Sequence, residues 1–353
     1  MRGLFFNKAD LYEGKIRKII ENANKGNKLR LDCLNKDSSS PERVKEFLDK
    51  GRYDFVIHRN EHGTLFKGEN IKSINKLSRE SGIPFLSFDF GYFSHFQSYM
   101  FDFYIDDLKS SINLEWDSLS DKPSWNSAPQ YIKDHRRLSK ENTNKFFGKT
   151  INDIDISKCV AIWMQWNADL LRQDLFVDGK RLSQAEWLNK ICDKVRGLGF
   201  IPIIKMGMVD HYEIFKQTIP FVTESNTLVT DKENVKKSNP RAIFDKDANY
   251  KLIANAKYHI LLCSSASNEI VLNDKPIIMT GRSWFNGLDI FHEPKSWGED
   301  FSEPSVNVAA RNKWCNWWIS RQTKLQDTDQ KILDVYQMAK KHLTGQEAIN
   351  FVI

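Results

Sequence analysis

The sequence contains no apolar run that approaches the roughly 20 residues of a membrane-spanning helix, which argues against an integral membrane protein. The N-terminal stretch Met1–Lys8 has too short an apolar core for a secretory signal peptide. Cysteine is also scarce: five are scattered over 353 residues without a C-x-x-C pair, which argues against a disulfide framework and against a zinc site. Together these absences predict a cytosolic protein.

The composition is that of a globular chain with enough mass for two domains, since 353 residues exceed the usual size of one. Hydrophobic residues make up 41% and charged residues 28%, both ordinary for such a protein. The net charge of +6 is compatible with a surface that faces phosphate groups, and equally with a solvated basic exterior. Composition therefore leaves the partner open.

Strand-length apolar runs alternate with helical segments through most of the chain. In the first half, strands are predicted at 28–34, 53–58 and 85–90, and helices at 15–24, 42–50 and 70–81. After a polar stretch at 118–150, strands are predicted at 159–165, 200–205 and 227–230, and helices at 183–196, 247–256 and 327–343. This spacing is typical of βαβ units with right-handed crossovers. It predicts an α/β protein with two Rossmann-like, doubly wound domains that face each other across a cleft.

We place the domain boundaries by composition and by the two series of strands. The first domain is expected at 1–150, including a linker, and the second at 151–326. The remaining residues, 327–353, are expected to form a helix that packs back across the domain boundary.

The segment 258–281 is the strongest candidate for a ligand site. Two buried strands, predicted at 259–263 and 276–279, flank a small-residue turn at 264–267 and a short helix at 268–273. A strand that leads into a serine-rich turn at a helix N-terminus offers backbone N–H groups and the positive end of a dipole to a phosphate. Glu269, in the first helical turn, is well placed to accept a ribose hydroxyl. The alternative is an ordinary strand–turn–helix of any α/β protein.

Three pieces of the second half, in order, resemble GT-B glycosyltransferases, most closely the capsule polysaccharide (Kdo-transferase-like) proteins. They are Gln165-x-x-x-Asp169 after a strand, Ile203–Lys205 at the end of the next, and Ser264–Glu269 with Lys275-Pro276 and Gly281. The resemblance covers 160–287. It departs from the family pattern at Asn273-Asp274, where a glycine usually precedes Lys-Pro, and at Met206, where some members have Pro-His. These departures bear on the identity of the sugar donor more than on the fold.

In the first half, Phe88–Tyr92 followed by Ser110–Asn113 resembles an acidic-x-Gly-aromatic stretch of phage DNA glycosyltransferases. This resemblance implies transfer of arabinose or glucose from a nucleotide-diphosphate donor, such as a UDP-sugar, to 5-hydroxymethylcytosine in duplex DNA of a phage. It is the leading functional hypothesis. One alternative is a cytosolic transferase that builds a surface or capsular polysaccharide. The other is a non-catalytic protein that binds nucleotides or DNA.

Glycosyl transfer requires that the leaving diphosphate be neutralised, that the acceptor hydroxyl lose its proton, and that water be excluded. On the resemblance, we assign donor binding to Gln165, Asp169, Lys205, Ser264, Ser265, Ser267, Glu269, Gly281 and Arg282. We assign acceptor binding to His58, Gly91, Tyr92, Asp107, Lys133, Arg136 and Arg137. Asp89, at the end of a predicted strand, is the candidate general base, with Asp106, Asp107 and His58 as competitors. We expect no metal, no cofactor beyond the nucleotide sugar, and a monomer.

Aromatic and basic side chains supply further candidates for contact with DNA. The alternation at 92–104 predicts core packing for most of its rings, and the cluster Trp314–Trp318 indicates domain packing. A base that leaves the duplex needs a stacking partner, for which Trp163, Trp166 and Trp284 are candidates. Lys15, Arg17 and Lys18 are candidates for phosphate contacts, which position DNA without reading its sequence.

Overall fold

The structure is a computed structural model, and the chain in it divides into two compact units. The first unit comprises Met1–Ser120 and Asn316–Ile353, and the second comprises Asp121–Cys315. The residues that the structure describes are 1–6, 13–26, 28–34, 41–51, 53–59, 69–90, 98–103, 105, 110–126, 128, 130–143, 156–164, 182–206, 226–229, 243–244, 247–262, 264, 266–281 and 286–344.

A six-stranded sheet forms the centre of the first unit, in the order β12-β5-β4-β3-β1-β2. Its strands are β1 (Arg2–Phe6), β2 (Arg30–Leu34), β3 (Phe55–Arg59), β4 (Phe85–Phe90), β5 (Ser98–Phe103) and β12 (Gln322–Lys324). Strands β1 to β4 pair in parallel, whereas β5 is antiparallel to both β4 and β12. The first five strands follow the flavodoxin-like order 2-1-3-4-5, in which the strand order reverses between β1 and β3.

Helices cover both faces of this sheet. They are α1 (Glu13–Asn24), α2 (Pro41–Gly51), α3 (Glu69–Glu80), the short α4 (Ile112–Glu115) and α10 (Thr328–Leu343). Successive strand residues point to opposite faces, so Phe5 and Leu4 enter different cores. Phe5 belongs to a cluster with residues of α1 and α10, and Leu4 to one with residues of α2 and α3. Burial of both faces explains why the strands read as continuous apolar runs.

A second six-stranded sheet, fully parallel, forms the centre of the second unit in the order β11-β10-β6-β7-β8-β9. Its strands are β6 (Cys159–Trp163), β7 (Ile201–Met206), β8 (Asn226–Val229), β9 (Ile243–Phe244), β10 (Tyr258–Leu261) and β11 (Ile277–Met279). Its helices are α5 (Gln130–Glu141), α6 (Gln184–Gly197), α7 (Ala248–Asn255), α8 (Ala266–Val271) and α9 (Val308–Arg321). The residues of α9 from Asn316 onward belong to the first unit.

Local sequence signals account for several of these elements. Helix α6 begins at a capping box: the Ser183 hydroxyl accepts from the Glu186 backbone N–H, and the Glu186 carboxylate accepts from the Ser183 backbone N–H. All five residues of β6 are buried, as expected of a central parallel strand covered on both faces. No helix in the described part of the chain has both the length and the apolar character needed to cross a bilayer.

The predicted α/β class with two doubly wound sheets is confirmed. The elements that were not predicted include β1, which lies inside the first sheet, the short strand β9, the antiparallel edge strand β12, and helices α4 and α9. The unit boundaries, after Ser120 and after Cys315, also differ from the predicted ones at 150 and 326. The first difference arises because α5 packs on α7 and so joins the second unit.

Candidate active site

The second unit has its topological switch point between β6 and β10. From β6 the chain runs outward through β7, β8 and β9 on one side, and then returns to place β10 and β11 on the other. Ligands of open α/β sheets bind beyond the carboxyl ends of the strands at such a reversal. The turn that follows β10, which begins near Ser264, is therefore at the position where this fold binds ligands.

Lys205 lies near the carboxyl end of β7, next to the switch-point strand β6, where it is in register with Trp163. Its side chain is buried, with 5% of the residue exposed. Burial lowers the pKa of the Lys205 ammonium to about 8, and the nearby negative charge of Glu269 opposes this shift. A buried cation at this edge of a sheet is suited to hold a phosphate or a developing negative charge.

Glu269, on α8, is the counter-charge of this site. Its Oε2 lies 3.0 Å from Nε2 of His135, a buried residue of α5. The ring of His135 packs on that of Tyr250, from α7, with centroids 5.0 Å apart. The sequence indicates Glu269 as a site residue but not His135 or Tyr250, because these two come from helices about 134 and 19 residues away in the chain. A histidine among basic residues of a polar stretch carries no signal of such a partner.

The serine turn is less open than the sequence predicted. The Ser264 hydroxyl accepts a hydrogen bond from the Ala266 backbone N–H at 3.3 Å, and the Ser264 carbonyl accepts from the Ser267 N–H at 3.0 Å. Ser264 is half-buried and Ser267 is buried. The expectation that this turn presents free N–H groups is therefore wrong for Ala266 and Ser267. Contacts of Ser264, Ser265 and Ser267 with a donor remain a prediction.

Gly281 is required by the close approach of two strands. Its N–H donates to the Leu262 carbonyl at 2.9 Å, and a Cβ at this position would lie 2.6 Å from that carbonyl oxygen. The glycine of the family pattern thus has a structural reason in this chain. A direct contact between Gly281 and a donor stays a prediction.

Asp274 explains one of the departures from the family pattern. Its φ is 60°, in the left-handed region that favours glycine, which is the residue that usually precedes Lys-Pro in that pattern. Aspartate is among the few other residues that tolerate this conformation. Arg136 from α5 contacts the Asp274 carboxylate at 3.2 Å. Asp274 therefore adopts the backbone conformation that the glycine of the family pattern provides.

Two of the three basic residues proposed for the acceptor make ion pairs within the chain. Arg136 also donates to the Leu272 carbonyl and lies 3.9 Å from the centroid of the Trp125 ring. Arg137 donates to Glu141 at 2.6 Å and lies 3.7 Å from Asp134. Lys133 is exposed and donates to the Asn126 carbonyl. These contacts give each residue a structural role, and their contact with DNA phosphates remains a prediction.

In the first unit, His58 lies at the carboxyl side of that unit's own switch point, between β1 and β3. His58 is buried, and its ring stacks on Phe85 with centroids 6.3 Å apart. The backbone of Asp89 lies in β4 and is in register with Met100 of β5. Nothing in the structure tests the catalytic role of either residue.

Several candidates lie outside the described residues. They are Gln165, Asp169, Ser265, Arg282, Gly91, Tyr92, Asp106, Asp107, Trp166 and Trp284. Among the aromatic candidates that are described, Tyr99, Phe101 and Phe103 are buried in the first unit's core, as predicted. Trp163 is buried and donates to Nδ1 of His259 at 3.0 Å. Within the described segments, no three His, Cys, Asp or Glu residues lie close enough together to hold a metal ion.

No family model and no curated protein matches the chain. Solved structures do match. The β-Kdo 2,7-transferase of Thermosulfurimonas dismutans KpsC is 12% identical, covers 96% of this chain and 99% of its own, and superposes with a TM-score of 0.50. The chain has a GT-B fold.

The β-Kdo 2,4-transferase of the same KpsC is 11% identical, with 89% of each chain covered and a TM-score of 0.39. The UDP-GlcNAc 2-epimerase of Neisseria meningitidis is 10% identical, with 96% and 100% covered and a TM-score of 0.32. The 12% identity of the first structure supports the fold and not the substrate, and the lower TM-scores of the other two add nothing to it.

Proposed function

We propose that the protein is a glycosyltransferase that uses a nucleotide-diphosphate sugar, with the donor bound by the second unit. The observation that carries the proposal is the buried Lys205 beside Glu269, at the carboxyl edge next to the switch point of a GT-B fold. The leaving diphosphate gains negative charge as the glycosidic bond breaks, and a preorganised cation in a dry site stabilises that charge. Lys205 supplies this cation without a metal ion.

The remaining roles follow from the chemistry of transfer. Glu269 accepts a ribose hydroxyl of the nucleotide, and the Ser264–Ser267 turn contacts the phosphates. Asp89 removes the proton from the acceptor hydroxyl. An Asp89→Asn variant is expected to bind UDP like the parent protein and to lose sugar transfer. Unchanged transfer by this variant discards Asp89 as the base.

For the acceptor we propose a hydroxyl group of a surface or capsular glycan. The support comes from the sequence resemblance to Kdo-transferase-like proteins and from the fold shared with a Kdo transferase. The intrachain ion pairs of Arg136 and Arg137 remove part of the reason to expect DNA. Hydroxymethylcytosine DNA, with arabinose or glucose as the sugar, is the second candidate. It is favoured by the stretch Phe88–Tyr92 and by the exposed basic residues Arg17 and Lys18 of α1.

One panel tests both acceptors. The protein is incubated with UDP-glucose, UDP-arabinose or UDP-GlcNAc, and with a capsular oligosaccharide, hydroxymethylcytosine duplex DNA or plain cytosine duplex DNA. Products are read by mass. A mass increase on the oligosaccharide supports the glycan acceptor, and one on modified DNA alone replaces it with the second candidate. No transfer with any pair, together with no nucleotide binding, overturns the proposal.

A further inference from the structure

Two polar contacts of His135 with other described residues indicate the direction of its hydrogen bond to Glu269. The amide Nδ2 of Asn273 donates to the Glu269 carbonyl at 2.8 Å and lies 3.3 Å from Nδ1 of His135. An amide nitrogen only donates, so Nδ1 is the acceptor. The proton of the neutral ring is then on Nε2, which lies 3.0 Å from the Glu269 carboxylate. His135 therefore donates its Nε2 proton to the Glu269 carboxylate.

The Glu269 carboxylate is held through one of its two oxygens. Its Oε2 accepts from His135, whereas no hydrogen bond of Oε1 is found within the described part of the chain. The Glu269 side chain is 16% exposed, so the carboxylate is not fully enclosed by the described residues. The described titratable groups that surround this site come from four elements: His135 of α5, Tyr250 of α7, Glu269 of α8 and Lys205 of β7.

Rotation of Glu269 away from this position has an electrostatic cost for Lys205. Burial lowers the pKa of the Lys205 ammonium, and among the described residues the negative charge of Glu269 opposes this shift. Without a fixed carboxylate, burial lowers the pKa of Lys205 further, and less of the ammonium is charged at neutral pH. The hydrogen bond from His135 to Glu269 therefore also affects the charge of Lys205, the residue that we propose binds the donor.

We propose that His135 is a positioning residue of the donor site, which holds the Glu269 carboxylate beside Lys205 so that the ammonium keeps the charge with which it binds the donor diphosphate. The inference rests on the proposed function, since it assumes that a nucleotide diphosphate binds at Lys205. Asn273 supports it by holding the ring in the tautomer that donates. The departure of this sequence from the family pattern at Asn273 therefore has a role in the site.

The test is UDP binding to the full chain by titration calorimetry between pH 6 and 10. In His135→Ala, UDP affinity at pH 7.5 is expected to fall about threefold or more, because a lower pKa of Lys205 leaves less of the ammonium charged at that pH. The pH at which binding is lost is expected to move below that of the parent protein. His135→Gln, whose amide Nε2 can reach the same oxygen, is expected to restore most of the affinity and the pH limit. Lys140→Gln, an exposed change on the same helix, is the control and is expected to alter neither.

Glu269→Gln provides a second route to the same result. It is expected to lower the pH at which UDP binding is lost, as His135→Ala does. The double variant is expected to lower that pH little further, because both changes remove the same effect of Glu269 on Lys205. A merely structural role of His135 predicts a lower melting temperature with an unchanged pH limit, and that result overturns the inference. Equal UDP affinity and pH limit in His135→Ala and the parent also overturn it. If the parent protein binds no nucleotide diphosphate, the proposed function fails instead.

Discussion

Trp317 and Ser111, 206 residues apart in the chain, are joined by a 3.0 Å hydrogen bond from the indole Nε1 to the serine Oγ. The same oxygen accepts from Nη2 of Arg321 at 3.0 Å, and the Ser111 hydroxyl donates a hydrogen bond to the buried carboxylate of Asp102. Arg321 also pairs with Asp102 at 3.5 Å and with Glu115. One hydroxyl thus links α9 to β5 and α4 inside the first unit. Ser111 lies in the stretch that resembles phage DNA glycosyltransferases, and its contacts give that position a structural explanation.

We expect Ser111→Ala to destabilise the first unit by about 2 to 3 kcal/mol, because it leaves the buried donors of Trp317 and Arg321 without their acceptor. Ser110→Ala is the matched control: Ser110 is equally buried, and its Oγ has no hydrogen-bond partner among the described residues. That change is expected to alter stability by less than about 0.5 kcal/mol. Urea unfolding midpoints of the two variants measure the difference. Equal midpoints contradict the assigned role of Ser111.

Asp102 gives the first unit a pH dependence with a defined sign. Burial raises the pKa of its carboxyl from 3.8 to about 6, although Arg321 and Ser111 oppose the shift. Between these two values the folded state binds more protons than the unfolded state, so the contribution of Asp102 to stability falls as pH rises from about 4 to about 6. We expect the stability difference between the parent and Asp102→Asn to change across this range and to be constant above about pH 7. A difference independent of pH from 4 to 7 contradicts a raised pKa.

The backbone at Asp274 allows a test of the departure from the family pattern. Because its φ is 60°, Asp274→Ala is expected to cost about 1 kcal/mol of stability, whereas Asp274→Gly is expected to be neutral or stabilising. The ion pair with Arg136 is largely exposed on the Asp274 side and contributes little. The melting temperatures of the two variants and the parent protein measure this difference in stability. Equal destabilisation by alanine and glycine shows that the carboxylate, and not the backbone conformation, is what matters.

Gly281 and Gly197 form a matched pair for the effect of an added methyl group. In Gly281→Ala the new Cβ meets the Leu262 carbonyl oxygen at 2.6 Å, which forces the two strands apart. We expect a loss of about 2 kcal/mol or more. For Gly197, at the end of α6, no described residue has an atom within 4 Å of such a Cβ, so Gly197→Ala is expected to be neutral or stabilising by up to about 1 kcal/mol. Similar unfolding midpoints for the two variants argue against the close approach at Gly281.

Much of the fold was predictable because buried parallel strands have a plain sequence signal. The runs that became β3, β4, β6, β7 and β10 are apolar and strand-length, and helical patterns separate them. Strand β1 was not predicted, because it has only five residues and a short apolar run at an N-terminus is also typical of a leader segment. Helix α9 had a signal in the i, i+3, i+4 spacing of Trp314, Trp317 and Trp318, which was assigned to packing without a helix.

The candidate site was predictable only in part. Lys205 and Glu269 each follow a recognisable strand or turn, so their positions near one edge of the sheet could be anticipated. His135 could not, because its role depends on α5 packing against α7 and α8. Such tertiary contacts leave no periodic trace in a single sequence. The same limit applies to the ion pairs of Arg136 and Arg137, which looked like an exposed basic cluster.

The central claim is that Lys205 holds the donor diphosphate, and UDP binding as a function of pH tests it most directly. Burial lowers the pKa of Lys205 to about 8, so UDP affinity should be constant below that pH and should weaken by up to about tenfold per pH unit above it. Lys205→Met should lose most UDP binding at every pH, and its melting curve checks that the variant is folded. The opposite result, Lys205→Met binding UDP as tightly as the parent protein across the pH range, contradicts the account.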